Sequence, residues 1–286
     1  MPHLVLESAT DSLNLDDVAQ TGSGVQALTG ATGLGFPDVA AQWIEGAGDG
    51  ATYRGSRLRS RDIDLPLHLL ADNRQGLRAL VARLEVMLAE KCVLRFVEDD
   101  GTDWSTPVAW QGGGKWVYGT DTTGTRELST VITLRAGSPY WTSSTAISQR
   151  ITNAGGGRGL LNGSLANLRV APSQAIGTIV LENSGTAPAY PVWAVTGPGK
   201  NFAAISPTGQ VLRWTGTLSA GETLILDTQA GTVTDAAGAN RYAGLAAAPR
   251  FWAVPPGTST ATASLDDAST ASVIVCTWRP RKRVVI

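Results

Sequence analysis

The sequence predicts a mainly β chain of two antiparallel domains, the first a β-barrel or sandwich carrying one packed helix. Glycine occurs 33 times and proline 14 times among 286 residues, and only 16% are charged, a balance suited to short strands and tight turns. In the second half, apolar runs recur about every ten residues with Gly or Pro at the breaks, the spacing of an antiparallel sandwich or jelly roll. In the first half, period-two alternation gives way only once to helical spacing. The chain is long enough for two cores. We place a first domain at 1–141, a linker at 142–173 and a second domain at 174–286.

The first domain opens with "LVLES" and reaches "GLGFPDVAAQWIE" and the tight loop "GAGDG", where glycine supplies the positive φ such turns need. In "RLRSRDIDLPLHLL", Arg57, Arg59 and Arg61 share one face with Ile63, Leu65, Leu67 and Leu69 at period two. That predicts a long strand whose first third projects past the core. Pro66 lacks a ladder donor, so it belongs at an edge or bulge. In "DNRQGLRALVARLEVMLAEK", Leu77, Leu80, Val81, Leu84 and Leu88 form a helical stripe, and Asp72 or Asn73 can cap it. "CVLRFVEDDGTDWSTPVAW" reads as strand, turn, strand, and "ELSTVITLRAGSPYW" closes the domain near Trp141.

From Thr142 to Ser173 the composition shifts to Gly, Asn and Ser, a linker holding no more than one short strand. Beyond it, the predicted strands are "GTIVLEN", "PAYPVWAVTG", "NFAAISPTGQVLRWTGTL", "GETLILDTQAGTVTD", "RYAGL", "RFWAV", "TSTATASL" and "SVIVCTWRP".

Charge and motifs exclude several functions. A net charge of −1 sets up no one-signed field toward nucleic acid or anionic lipid. The N-terminus lacks a basic n-region, which argues against a signal peptide, and no apolar run nears the roughly 18–20 residues of a membrane span. A soluble protein made in the cytoplasm is expected. Cys92 and Cys276 sit in apolar runs and read as buried reduced thiols rather than a disulfide. His3 and His68 lack metal-ligand spacing, and His68 reads as a rim residue. Glu98, Asp99, Asp100 and Asp103 could supply a glycosidase carboxylate pair, but acids around a glycine are ordinary hairpin-turn chemistry. Neither "GGG" run leads into a phosphate-binding helix, and no nucleophile elbow occurs. No catalytic, cofactor-binding or metal-binding residue is assigned, and no cofactor is expected. The basic "RPRKR", Arg279 to Arg283, lacks the aromatic interleaving of a nucleic-acid groove and reads as a solvated or subunit-facing tail.

The stretch "FWAVPPGTST" raises a different possibility, a sugar-stacking platform. Trp193 and Trp278 lie in apolar strand contexts where burial is the default. Phe251 and Trp252 are consecutive and point to opposite faces of a strand, so they cannot both line one shallow site. One belongs in the core; we take Trp252 as the candidate surface aromatic, meeting a neighbouring strand, a partner chain or a glycan.

The stretches "TAPAYPVWAVTGPGKN", "GETLILDTQAGTVTDAAGANRY" and "FWAVPPGTST" resemble the galectin-like C-terminal domain of siphophage distal tail proteins. "GLGFPDVAAQWIEGAGDGATYRGSRLRSRDIDLPL", the helix and "GSPYW" follow that family's order in the first domain, so the resemblance is collinear over nearly the whole chain. Ser259 departs from it, standing where the family often has Asn. The resemblance implies a non-enzymatic virion protein at the tail tip, assembled in the host cytoplasm. It implies a homo-hexameric ring with the tail tube protein above and the tail-tip hub below, and a lumen that passes the genome. No membrane or specific nucleic-acid contact is implied. Three like charges on one projecting strand then suggest that Arg57, Arg59 and Arg61 meet a neighbour's carboxylates at a subunit or tube interface. The alternative is a carbohydrate-binding module that attaches the virion to host glycans.

Overall fold

A computed structural model describes residues 2–116, 125–152 and 174–286. The chain is mainly β, with 52% strand and 9% helix. It divides into two compact units, Met1–Thr145 together with Lys282–Ile286, and Ala146–Arg281. The last five residues thus belong with the first unit, whereas the sequence alone puts them with the second.

The first unit contains β1 (His3–Glu7), β2 (Ser12–Asn14), α1 (Asp17–Thr21), β3 (Gly24–Ala27), β4 (Val39–Glu45), β5 (Ala51–Leu58), β6 (Arg61–Leu70), α2 (Arg74–Leu88), β7 (Cys92–Val97), β8 (Asp103–Gly113), β9 (Glu127–Ala136) and β10 (Trp141–Ser143). Its main sheet runs β2-β1-β7-β8-β9-β6-β3. The two ends almost meet: the Ala27 N–H donates to Leu15 O at 2.5 Å, and Asp16 bridges Gln26. The sheet is therefore a nearly closed barrel, which removes most of the exposed edge. Alternation fills it, since Ile63, Leu65, Leu67 and Leu69 of β6 all point inward beside Leu94, Leu134 and Trp141. Pro66 lies opposite Val131 of β9, and on its other side β3 has already ended, with the Leu28 N–H reaching Pro66 O at 2.8 Å. Its missing donor faces a position where no ladder bond is required.

Helix α2 forms as its stripe predicts. The Asn73 side chain accepts the Gly76 N–H at 2.9 Å, and Leu77, Leu84 and Met87 are buried with Leu80, Val81 and Leu88 packed alongside. Arg83 on its polar side makes a two-pronged pair with Asp11 of the β1–β2 turn at 2.6 and 2.8 Å. Those hydrogen bonds hold the Asp11 carboxyl at about 2, below its usual 3.8. Because the folded value is depressed, the pair's contribution is complete above pH 3.8 and fades as the pH falls toward 2. The melting-temperature gap between the wild type and Asp11→Asn should therefore be small but measurable at neutral pH and close by pH 2. A gap that persists there would mean the pair is not what the substitution removes.

The second unit contains β11 (Ile147–Thr152), β12 (Gln174–Asn183), β13 (Val192–Thr196), β14 (Gly199–Ile205), β15 (Val211–Arg213), β16 (Thr217–Leu218), β17 (Thr223–Asp227), β18 (Thr232–Asp235), β19 (Gly257–Asp266) and β20 (Val273–Trp278); β21 (Arg281–Lys282) leads out of it. One sheet runs β11-β20-β13-β17-β18, and the other β12-β19-β14-β15 with β16 on β14. Trp193, Phe202, Trp214, Trp252 and Trp278 fill the space between them.

Several expectations are corrected. The segment 142–152, read as linker, supplies β10 and β11; 153–173 lies outside the described residues. "RYAGL" is a 3-10 turn at Tyr242–Gly244, because the Asn240 side chain takes the Tyr242 N–H at 2.8 Å and diverts the backbone from a ladder. "RFWAV" is no strand either. Pro249, Pro255 and Pro256 flank it without donors, leaving the single bridge of Val254 to Ala189. The terminal basic run is not a solvated tail: Arg281 is buried against the Tyr190 ring and Lys282 lies 4.0 Å from the Trp104 ring centre. Val285 sits in the first unit's core. Long basic side chains bury their stems and aim their charge at aromatic faces, which composition alone does not reveal.

Candidate assembly surface

The strand predicted to carry Arg57, Arg59 and Arg61 is two strands. Arg57 is the last residue but one of β5, Arg59 and Ser60 lie outside any ladder, and Arg61 starts β6 in the barrel. Period-two parity does not carry across such a break, so the three guanidinium groups part company. Arg57 and Arg59 are exposed. Arg61 is only 4% exposed, and its terminal nitrogens donate to four carbonyls: Gly33 at 2.5 Å, Gly35 at 2.7 Å, Pro139 at 2.8 Å and Arg283 at 2.5 Å. Burial lowers its pKa, and the Trp141 ring centre lies 5.9 Å away. Gly33 permits this cradle: its φ is +81°, and a Cβ there would stand 2.1 Å from Asp62 O. Arg61 therefore fastens its own unit and cannot serve as an interface residue.

What does face outward is the hairpin of β4 and β5, a separate two-stranded sheet. Cross-strand register puts Val39, Ala41 and Trp43 of β4 on one face with Leu58, Ser56 and Tyr53 of β5. A bulge opposite Gln42 and Trp43 absorbs Arg54 and lets Tyr53 reach Trp43, with ring centres 5.1 Å apart. The Tyr53 hydroxyl and the Ser56 hydroxyl are 2.7 Å apart. Trp43 is 60% exposed and Tyr53 51%; Val39, Ile44 and nearby Phe36 are also bare. The sequence offered a cue that went unread: aromatics flanking a glycine-rich turn, spaced to meet across a hairpin.

The remaining candidates disperse. Trp252 is not a surface aromatic. It is 2% exposed, edge-on to Trp193 at 5.8 Å, with its indole N–H donating to Ala204 O at 3.3 Å. The bridge at Val254 turns that residue inward, and Trp252 two positions earlier follows it; Phe251 takes the outer side, stacked on Tyr242 at 6.4 Å. Asp100 accepts the Thr102 N–H and hydroxyl at 2.8 and 2.7 Å, and Asp103 pairs with Arg95, so these acids build a turn and a cross-strand pair. His68 is partly exposed, with Nδ1 3.0 Å from the Ser129 hydroxyl. Cys92 and Cys276 are buried free thiols in different units, and burial raises the pKa of each. Among the described residues, no three His, Cys, Asp or Glu side chains group to hold a metal.

The whole described architecture has counterparts among solved structures. The crystal structure of SPP1 Dit, titled a paradigm of the hub adsorption apparatus in Gram-positive infecting phages, superposes with a TM-score of 0.67 over 98% of this chain and 99% of that one, at 10% identity. The fold is that of SPP1 Dit. Chains of the phage P2 baseplate in its activated conformation agree as well. With calcium the TM-score is 0.57 at 9% identity, and with strontium 0.57 at 10%, each covering both chains completely. No family model and no curated protein matches the sequence. At such identity the likeness lies in the path of the backbone; the surface chemistry is this chain's own.

Proposed function

We propose that this chain is a structural protein of a phage tail tip, with copies joined head to tail in a hexameric ring between the tail tube and the tip. The observation that carries this reading is the end-to-end match to SPP1 Dit, which covers 98% of this chain and 99% of that one. The bare hairpin supports it. An isolated two-stranded sheet is marginal in water, and one with Trp43, Tyr53, Ile44 and Phe36 exposed calls for a protein partner. Arg57 and Arg59 on the same hairpin and its root would then meet carboxylates of a neighbour. The ring reading makes the protein non-catalytic, sited in the virion and assembled in the host cytoplasm, with a lumen for the genome. Negative-stain images of the purified protein should show closed rings, and mass photometry should give six times the chain mass. A monomer at every concentration tested overturns the reading. The glycan-binding alternative loses its nominated residue, since Trp252 is in the core.

A further inference from the structure

Besides the hairpin, the first unit exposes a second apolar surface. A cleft of about 510 Å³ opens between α2 and the outer ends of β8 and β9, walled by Leu84, Leu88, Trp110, Trp116, Leu128 and Ile132. Trp110 is 51% exposed and Trp116 56%. β8 bulges between Trp110 and Gly112, and Gly113, at φ +82°, comes so close to β9 that a Cβ would lie 2.2 Å from Val131 O. Gly113 and Gly114 leave the lining without side chains at that end of β8, and the cleft has the size of a small-ligand or side-chain site. One charged side chain lines it, Glu85, which makes no ion pair among the described residues.

The two surfaces complement each other. The hairpin projects an aromatic pair, and the cleft offers an apolar recess. Arg54, Arg57 and Arg59 of the hairpin and its root have no acidic partner among the described residues, and the cleft carries the unpaired Glu85. Both surfaces occur once on each copy and they differ from each other, which is the condition for a heterologous contact that closes into a ring. We infer that the β4–β5 hairpin of one copy docks, Trp43 and Tyr53 foremost, into the α2–β8–β9 cleft of the next copy. This rests on the ring reading above and names the contact that builds it. Trp43 and Trp110 are the central anchors, where binding energy concentrates.

The test uses two full-length variants, Trp43→Asp to blunt the hairpin and Trp110→Asp to charge the cleft. Both side chains are more than half exposed, so the barrel should fold; if Trp110→Asp melts below the wild type, Trp116→Asp replaces it. In sedimentation velocity, each variant alone should be monomeric. An equimolar mixture should form a heterodimer and nothing larger, associating at least tenfold more tightly than either variant with itself. The intact hairpin of the cleft variant then has one intact cleft to enter, and every other pairing is blocked. Rings from either variant, or a mixture no more associated than its components, overturn this contact while a wild-type ring leaves the function standing. A wild type that never assembles overturns both.

Discussion

Arg61→Met should unfold the first unit at markedly lower denaturant than the wild type, by about 4 kcal/mol, while leaving the second unit intact. The physical basis is a count of partners. The guanidinium supplies donors to four main-chain carbonyls from three separate stretches of chain: the loop before β4, the turn before β10 and the terminal segment at Arg283. Hydrogen bonds to a charged group contribute about 1.5–3 kcal/mol each, and the stranded buried carbonyls are penalised as well. Against this stands the relief of a buried charge, since among the described residues no carboxylate pairs with Arg61 and desolvation already lowers its pKa. The four bonds outweigh that relief because a methionine offers none of the carbonyls a donor. Arg61→Lys should fall between, because a point-like ammonium with three donors cannot reproduce the planar fork. Arg59→Met, at an exposed position, should change stability by no more than about 0.5 kcal/mol. Hydrogen exchange read strand by strand is the measurement: protection of β6, β9 and β10 should drop while β13 and β17 hold. Unchanged protection in β6 would show the cradle to be dispensable.

The second large effect is expected at Trp193. Its side chain is fully buried on β13, with ring centres 5.7 Å from Phe202 of the facing sheet and 5.8 Å from Trp252 of the segment before β19, so two further aromatics pack on it. Trp193→Ala leaves a void that the flanking sheets cannot collapse into, at about 3–5 kcal/mol, with the lost edge-on geometry included. That is a large share of the roughly 5–15 kcal/mol that holds a domain folded. Phe251→Ala, whose ring is only half buried against Tyr242, should lose far less. Urea titrations followed by tryptophan fluorescence separate the two. Equal midpoints for both variants would mean that the core does not centre on Trp193.

Where a run stays inside one element, its side-chain parity was readable from the residues. β6 from Ile63 to Leu69, the stripe on α2 and the Asp-Asp-Gly hairpin all form as the pattern implies, because local periodicity and burial agree there. Reading failed where a short irregular piece intervenes. Arg59 and Ser60 split one apparent strand into two, and Pro249, Pro255 and Pro256 reduce "RFWAV" to a single bridge. It also failed for the terminal segment, whose basic letters give no hint that Val285 is core and Arg281 is buried. The candidate assembly surface was half visible: Arg57 and Arg59 are exposed as expected, but the aromatic pair beside them and the cleft at Trp110 were not found.

By itself the sequence determined the class of the chain, its long helix α2 but not the short α1, and its two β units, because turn residues and hydrophobic period are local properties of a polymer in water. Only the tertiary structure decided which aromatics are core and which are offered to a partner. Exposure depends on what the rest of the chain brings alongside a residue: Trp252 is enclosed by Trp193 and Ala204, while nothing described covers Trp43.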